Sequence, residues 1–240
     1  MSVPQTYTAF FYGTLLHPSI LRRVIGHHGV ELEICPALLL DHTRHKIKHA
    51  DYPGVIPYSK TRELLGTVDS GVNLQPEDRT VRGTLVRGLS EDDVRLLDTF
   101  EGDEYTRRIV SAHPLAPFTA LASAAMDATI VPTAPPPLTA QFVADLSNTH
   151  PPVEAHTYIW IQPLSELTPE LWDFAEFVRD NAWKWVGVGA KDNEYYTEVD
   201  HRREMNGHIV ERKIVTAEGP EHEQEKHVVI ELGENPSKDS

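Results

Sequence analysis

A strand, a glycine turn and a helix start follow one another near the beginning of this chain, and this succession most constrains the fold. The apolar, aromatic run of residues 9–12 predicts a buried strand, and Gly13 ends it with a residue that turns sharply. A helix is predicted to open at residues 17–19, and four apolar side chains fall on one face of it, namely Ile20, Leu21, Val24 and Ile25. Several free backbone N–H groups then surround one point, which suits a carboxylate or an oxyanion. The alternative is a first strand and a tight turn that bind no ligand.

A second motif places a carboxylate at the end of a short helix. After a strand predicted for residues 82–89, Ser90 and Asp93 form an N-cap arrangement, and Gly102 ends the helix. Glu101 is left at the C-terminal edge, where the helix dipole and neighbouring acidic side chains are expected to raise the pKa of its carboxyl group. General acid–base catalysis on an amide requires at least a carboxyl group of raised pKa beside a pocket of N–H groups. The alternative is a solvated acidic surface.

Taken in this order and spacing, the short motifs of the chain resemble the γ-glutamylcyclotransferase superfamily, in particular its avirulence-induced-gene-like and γ-glutamylamine cyclotransferase branch. The matching segments are residues 11–15, 51–57, 81–85, 97–102, 105–107 and the aromatic strand 155–160. The resemblance implies an α+β fold built on a mixed β-barrel of the γ-glutamylcyclotransferase-like type with flanking helices. It also implies a cavity lined by the Tyr-Gly-Thr-Leu loop.

The resemblance further implies a reaction. Members of the superfamily release 5-oxoproline from γ-glutamyl compounds without a cofactor, because the α-amino group attacks the γ-carbonyl of its own glutamyl moiety and expels an amine. Glu101 is implied as the general base for the α-ammonium and then as the acid for the leaving amine. Loop N–H groups hold the α-carboxylate, the first tyrosine shapes the pocket, and a later tyrosine supplies a supporting hydrogen bond. The implied substrate-binding residues are Tyr12, Gly13, Thr14, Leu15 and Tyr105.

The chemistry is reasonable without the resemblance. Ring closure is intramolecular, so the protein needs to hold one bent conformer and move two protons, which one carboxylate can do. Cys35, the single cysteine, lies in the apolar run 34–40 and is predicted to be a small core residue. The chain has no Gly-x-Ser-x-Gly elbow, phosphate-binding loop or dinucleotide fingerprint. Two alternatives remain open, a related enzyme of specialised metabolism with a changed substrate and a non-catalytic relative that binds a metabolite or a protein.

Composition limits the partners. With 36 acidic and 22 basic residues, the net charge of −14 argues against nucleic acid and anionic membranes. One cysteine excludes an intrachain disulfide and fits a reducing compartment. The N-terminus shows no signal-peptide pattern, and no run approaches the ~20 apolar residues of a membrane span. We expect a cytoplasmic enzyme with a small-molecule γ-glutamyl substrate, no cofactor and an oligomeric state that the sequence leaves open.

The chain divides into a γ-glutamylcyclotransferase-like domain, residues 7–163, and a C-terminal extension, residues 164–240. The domain carries a Pro/Ala-rich insertion at about residues 114–152, which is either a lid or wall that sets leaving-group specificity or a flexible surface excursion. Within it, residues 141–146 predict a helical turn or a strand. The end of the extension, residues 233–240, predicts a disordered tail after a polar segment.

The extension is predicted to begin as a helix. Ser165 or Thr168 is expected to cap it, with Pro169 in the first turn, and it is expected to continue through Trp183 and Trp185. Its apolar face is predicted to consist of Leu171, Phe174, Ala175, Phe177 and Val178. We expect the aromatic side chains of this segment, Trp172 among them, to pack onto the barrel.

The histidines offer one arrangement that resembles a metal site. His42, His45 and His49 are spaced so that they would share one face of a helix. The alternating pattern around them predicts a strand instead, and the basic residues between them disfavour a cation. The sequence therefore predicts no metal site.

Overall fold

The described part of the chain contains nine strands and five α-helices. The computed structural model describes residues 5–67, 74–121 and 138–181. Its strands are β1 Tyr7–Phe11, β2 Glu33–Leu40, β3 His42–Ile47, β4 Pro53–Pro57, β5 Thr80–Leu89, β6 Tyr105–Pro114, β7 Thr119–Ala120, β8 Val153–Trp160 and β9 Leu167–Leu171. Its helices are α1 Pro18–Ile25, α2 Tyr58–Leu64, α3 Glu91–Glu101, α4 Ala140–Thr149 and α5 Phe174–Asp180.

Five strands form a closed mixed barrel. The order is β5-β1-β8-β6-β2, and β2 pairs again with β5, so the sheet returns to its start. The β1–β8 pair is parallel, and the other four pairs are antiparallel. The predicted α+β fold, a mixed barrel with flanking helices, is therefore confirmed.

Close backbone packing holds β1 against β5. A Cβ atom on Gly83 would lie 2.2 Å from the carbonyl oxygen of Phe11 and 2.5 Å from the ring of Phe10. Only glycine fits where two backbones approach this closely. The close approach of the two strands thus explains why the motif at residues 81–85 contains a glycine.

Two apolar clusters lie on the two sides of the barrel wall. The first consists of strand residues, among them Phe10 and Cys35, together with Tyr12, which follows β1. The burial of Cys35 raises the pKa of its thiol to about 11. The second joins the wall to α1 and α3. The predicted apolar face of α1 is buried throughout, and Cys35 is a core residue as predicted.

The predicted start of the C-terminal helix is wrong. Residues 167–171 form β9, which pairs with β3 in a second sheet of order β4-β3-β9. Pro169 lies in this strand at an irregularity of the register, where its missing N–H costs no ladder bond. The helix α5 begins only after Asp173, whose side chain accepts the N–H of Glu176 at 2.8 Å. Trp183 and Trp185 lie outside the described residues.

The aromatic side chains of the extension pack as predicted where the structure describes them. Trp172, Phe174 and Phe177 are buried together against the cluster that contains α1 and α3. Leu171, which we predicted on the apolar face, is instead exposed in β9. The division of the chain at residues 163 and 164 stays a prediction, and the predicted polar segment and tail lie outside the described residues.

The insertion contains one described helix. Residues 141–146 lie in α4, which Thr139 caps by accepting the N–H of Phe142 at 3.1 Å. His113 on β6 anchors its end, because Nδ1 donates to the carbonyl of His150 at 2.8 Å. Residues 122–137 of the insertion lie outside the described part, so its role as a lid or an excursion stays open.

Strand β3 carries His42 and His45, as the alternating pattern predicts. Across residues 5–67, 74–121 and 138–181, no group of three or more His, Cys, Asp or Glu side chains is arranged to hold a metal ion. Within the same residues, no helix has the length and apolar character needed to cross a membrane.

Candidate active site

The Tyr-Gly-Thr-Leu loop follows β1 as a short 3₁₀ turn, Thr14–Leu16. A Cβ atom on Gly13 would lie 3.2 Å from the ring of Pro53, so the loop packs tightly on the start of β4. The N–H groups of Leu16 and His17 close the turn, donating to the carbonyls of Gly13 and Thr14 at 3.0 Å each. The turn itself therefore does not use the N–H groups of Thr14 and Leu15.

Helix α3 places Glu101 as its last residue. Ser90 and Asp93 form the predicted capping box at the start of the helix. Gly102 ends the helix at φ 63°, a left-handed conformation that favours glycine, and its N–H donates to the carbonyl of Asp98. The backbone therefore puts the carboxylate of Glu101 where the sequence predicts it, at the C-terminal edge of the helix.

Two buried tyrosines, Tyr12 and Tyr158, and the partly buried Tyr105 lie around this helix end. Burial raises the pKa of the hydroxyls of Tyr12, Tyr105 and Tyr158 above the value of free tyrosine, and the negative charge of Glu101 raises each pKa further. Glu101 thus lies within electrostatic reach of all three rings. The hydroxyls stay protonated at neutral pH and act as hydrogen-bond donors.

Each tyrosine hydroxyl has a defined acceptor. Tyr12 donates to the carbonyl oxygen of Tyr158, and Tyr158 donates to Asp98 Oδ1 at 2.9 Å. Tyr105 donates to the carbonyl of Pro53 at 2.9 Å. Tyr158 therefore connects the loop after β1 with α3, and Tyr105 connects the start of β6 with the Asp-Tyr-Pro-Gly segment.

The Asp-Tyr-Pro-Gly segment contacts Glu104, the second glutamate near the end of α3. The hydroxyl of Tyr52 donates to Glu104 Oε2 at 3.0 Å, so Glu104 has a structural partner. Asp51 accepts the indole N–H of Trp172 at 2.8 Å through its carbonyl oxygen. The segment thereby joins the start of β6 to the C-terminal extension.

Arg44, which the sequence identified only as a basic neighbour of the histidines, supports the loop from β3. Its Nη1 donates to the carbonyl of Tyr12 at 2.6 Å, and its Nε donates to that of Trp172 at 3.2 Å. The guanidinium carbon lies 4.9 Å from the ring centre of Trp172. Burial lowers the pKa of Arg44 to about 10, and the group remains charged at neutral pH.

A groove of about 500 Å³ opens beside the end of α3. Its main lining side chains come from α3, β6 and β8, and they are Asp98, Tyr105, Arg107, Ile109, His156 and Tyr158. Of the predicted site residues only Tyr105 lines this groove, while Glu101 lies in the chain between the lining residues Asp98 and Gly102. The Tyr-Gly-Thr-Leu loop does not line it, so the cavity predicted against that loop stays a prediction.

The sequence analysis missed Arg107 and Tyr158 as groove residues. Arg107 alternates with Tyr105 on β6, and it lies opposite Tyr158 on β8. Asp98 lies three residues before Glu101 on α3, so the two carboxylates share one face of the helix. The helical spacing of Asp98 and Glu101 can be read from the sequence, so Asp98 could have been predicted. The pairing of β6 with β8 cannot be read from it.

The chain is similar to one protein family and to several known proteins. A family model described as γ-glutamyl cyclotransferase, AIG2-like, matches residues 9–126. Protein AIG2 C of Arabidopsis thaliana is 23% identical over 194 residues, which are 81% of this chain and 86% of that protein. A solution structure of another Arabidopsis thaliana protein has a TM-score of 0.44 at 20% identity, covering 80% of this chain and 84% of its own. A crystal structure of a yeast γ-glutamyl cyclotransferase specific to glutathione has a TM-score of 0.42 at 11% identity, covering 85% and 97%.

Proposed function

Because the chain belongs to the γ-glutamylcyclotransferase superfamily through residues 9–126, we propose that it cyclises the glutamyl moiety of a γ-glutamyl amine or peptide. The products are 5-oxoproline and a free amine, so the reaction is an intramolecular acyl transfer. The observation that carries the proposal is the position of Glu101 at the end of α3, within electrostatic reach of Tyr12 and Tyr105. The reaction in this proposal uses a small-molecule substrate and no cofactor. The single cysteine fits a cytoplasmic location.

In the proposed reaction Glu101 moves two protons. As a base it removes a proton from the α-ammonium of the substrate, and the freed amine attacks the γ-carbonyl carbon. A C–N bond forms and closes the five-membered ring. The tetrahedral intermediate then expels the leaving amine, which takes this proton from the Glu101 carboxyl group. The ring nitrogen still carries a second proton, which it gives to the Glu101 carboxylate, and the departing amine takes that proton too and leaves as an ammonium ion. Atoms and charge then balance without any other reactant.

The remaining predicted site residues hold the substrate in this proposal. The N–H groups of Thr14 and Leu15, which their own turn does not use, donate hydrogen bonds to the α-carboxylate. Gly13 lets the loop approach closely, and Tyr12 closes one side. Tyr105 supports Glu101 from the start of β6. Binding the substrate in one bent conformer accounts for much of the rate enhancement, because the amino group and the carbonyl group that react belong to one molecule.

Mass-spectrometric detection of 5-oxoproline tests the proposal. The protein is mixed with a panel of γ-glutamyl amines, γ-glutamyl dipeptides and glutathione, and wild type is compared with Glu101→Gln. We expect release from at least one substrate by wild type and its loss in the variant. The matched control is Glu104→Gln, since the glutamine oxygen still accepts the hydroxyl of Tyr52.

Two results would contradict the proposal. Loss of turnover in Glu104→Gln with retention in Glu101→Gln would move the proton transfers to the other acid. A folded wild-type protein that releases no 5-oxoproline from the whole panel would favour a changed substrate or a binding role.

A further inference from the structure

We propose that the groove beside α3 binds the leaving group of the substrate, and that Arg107 selects leaving groups that carry a carboxylate. This inference rests on the proposed function and narrows its substrate class. The preferred substrates are γ-glutamyl amino acids and peptides with an apolar side chain next to the scissile bond. γ-Glutamyl amines without a carboxylate are poorer substrates.

The groove runs away from Glu101 along two paired strands. Tyr105, Arg107 and Ile109 alternate on one face of β6. Arg107 lies opposite Tyr158, and Ile109 lies opposite His156 on β8. The Tyr105 end lies beside Glu101, because Gly102, which follows Glu101 in the chain, also lines the groove. A leaving group bound there meets first Arg107 and then Ile109.

Among the described residues, the ion pair of Arg107 with Asp98 leaves the Nη1 and Nη2 groups of Arg107 available to a ligand. Asp98 Oδ1 accepts a hydrogen bond from the hydroxyl of Tyr158 at 2.9 Å and forms an ion pair with Nε of Arg107 at 3.0 Å. The ion pair involves one of the five N–H donors of the guanidinium, and Nη1 and Nη2 carry the other four. The side chain of Arg107 is 34% exposed and lines the groove. A planar guanidinium fork is the group that binds a carboxylate in bidentate geometry.

The far end of the groove is apolar. Ile109 is 65% exposed, although it is a large hydrophobic side chain. His156 lies beside it, with its ring centre 5.7 Å from that of Tyr7. Burial, followed by the charge of Arg107, lowers the pKa of His156, so the imidazole is neutral at pH 7. An aliphatic or aromatic side chain fits this end better than a charged one does.

The test compares two substrates that differ only by the carboxylate, γ-glutamylleucine and γ-glutamyl-3-methylbutylamine. We expect wild type to favour γ-glutamylleucine by about tenfold in kcat/KM, and Arg107→Gln to bring the ratio of the two values close to one, mainly through KM. Tenfold corresponds to about 1.4 kcal/mol. Arg107→Lys retains the charge and should keep part of the preference. The matched control is Arg108→Gln, on the opposite face of the same strand, which should leave the ratio unchanged.

Three outcomes would overturn the inference. The first is that wild type shows no preference between the two substrates. The second is that Arg107→Gln lowers kcat/KM for both substrates equally, which would mean that Arg107 only positions Asp98. The third is a change of the ratio in Arg108→Gln. Circular dichroism and thermal unfolding of each variant separate misfolding from lost recognition.

A binding measurement distinguishes failure of this inference from failure of the proposed function. Calorimetric titration of both compounds into Glu101→Gln requires no turnover. Tighter binding of γ-glutamylleucine supports the groove even if wild type releases no 5-oxoproline. Equal binding contradicts the groove assignment even if the cyclisation is real.

Discussion

The two ends of helix α3 are built on opposite electrostatic principles. At the start, Ser90 and Asp93 complete a capping box, and three acidic residues occupy the first turn, where the helix dipole favours negative charge. His27 adds a contact to Asp93 at 2.8 Å. At the end, Asp98 and Glu101 lie where the dipole disfavours negative charge, and the last turn has no basic residue.

This difference separates stability from chemistry within one helix. The charges at the start satisfy N–H groups and stabilise the fold. The carboxylates at the end oppose the helix dipole instead, which costs stability. This is the end to which we assign the proton transfers of the proposed reaction. The following predictions test that separation, from the largest expected effect to the smallest.

Glu101→Gln should lower kcat for release of 5-oxoproline at least about 100-fold, because general acid–base catalysis is lost. The amide has nearly the shape of the carboxyl group, so the fold should be retained. Steady-state kinetics on the best substrate of the panel measure the change. A drop of less than about threefold would mean that the end of α3 is not the catalytic end.

Alkaline pH should destabilise the protein through the tyrosines at this end. Tyr12 and Tyr158 have folded-state pKa values above those of the unfolded chain, so their contribution is present below pH ~10 and is lost as the pH rises. Each group lowers the free energy of unfolding by about 1.4 kcal/mol per pH unit in that range. Urea unfolding between pH 9 and pH 11 measures the slope. Tyr158→Phe should make it shallower, and an unchanged slope would contradict the assignment.

Asp93→Ala should cost about 2 kcal/mol of stability, because it removes the buried acceptor of Ser90 N–H and the contact to His27. We expect kcat to stay unchanged, since this end lies away from the groove. Asp92→Ala is the control, because its side chain is 83% exposed, and it should change stability by less than about 0.5 kcal/mol. If Asp93→Ala folds but has a lower kcat, the start of the helix also contributes to catalysis, which contradicts the separation.

Glu101→Gln should also raise the free energy of unfolding by about 0.3–1 kcal/mol, because it removes a negative charge from the C-terminal end of a helix. The same substitution therefore abolishes activity and stabilises the fold. Urea titration at pH 7 measures it against Glu104→Gln. A clear loss of stability would show that the Glu101 carboxylate supports the structure.

The sequence predicted the elements that local chemistry decides. The capping box of α3, its end at Gly102 and the apolar face of α1 were all predicted, because caps, turns and helical faces depend on neighbours within a few residues. Glu101 and Tyr105 became candidates for the same reason, since both belong to a short continuous motif. The closed barrel followed from the resemblance carried by those motifs.

Tertiary structure decided what depends on distant pairing. Pro169 gave a good local signal for a helix start, but pairing with β3 makes its segment a strand, because ladder hydrogen bonds outweigh a weak local preference. Arg107 and Tyr158 meet only because β6 pairs with β8 in one register. Sequence alone thus determined the position of Glu101 at the helix end and the turn beside it. The groove required the fold, since a shift of one residue would turn Arg107 to the other face.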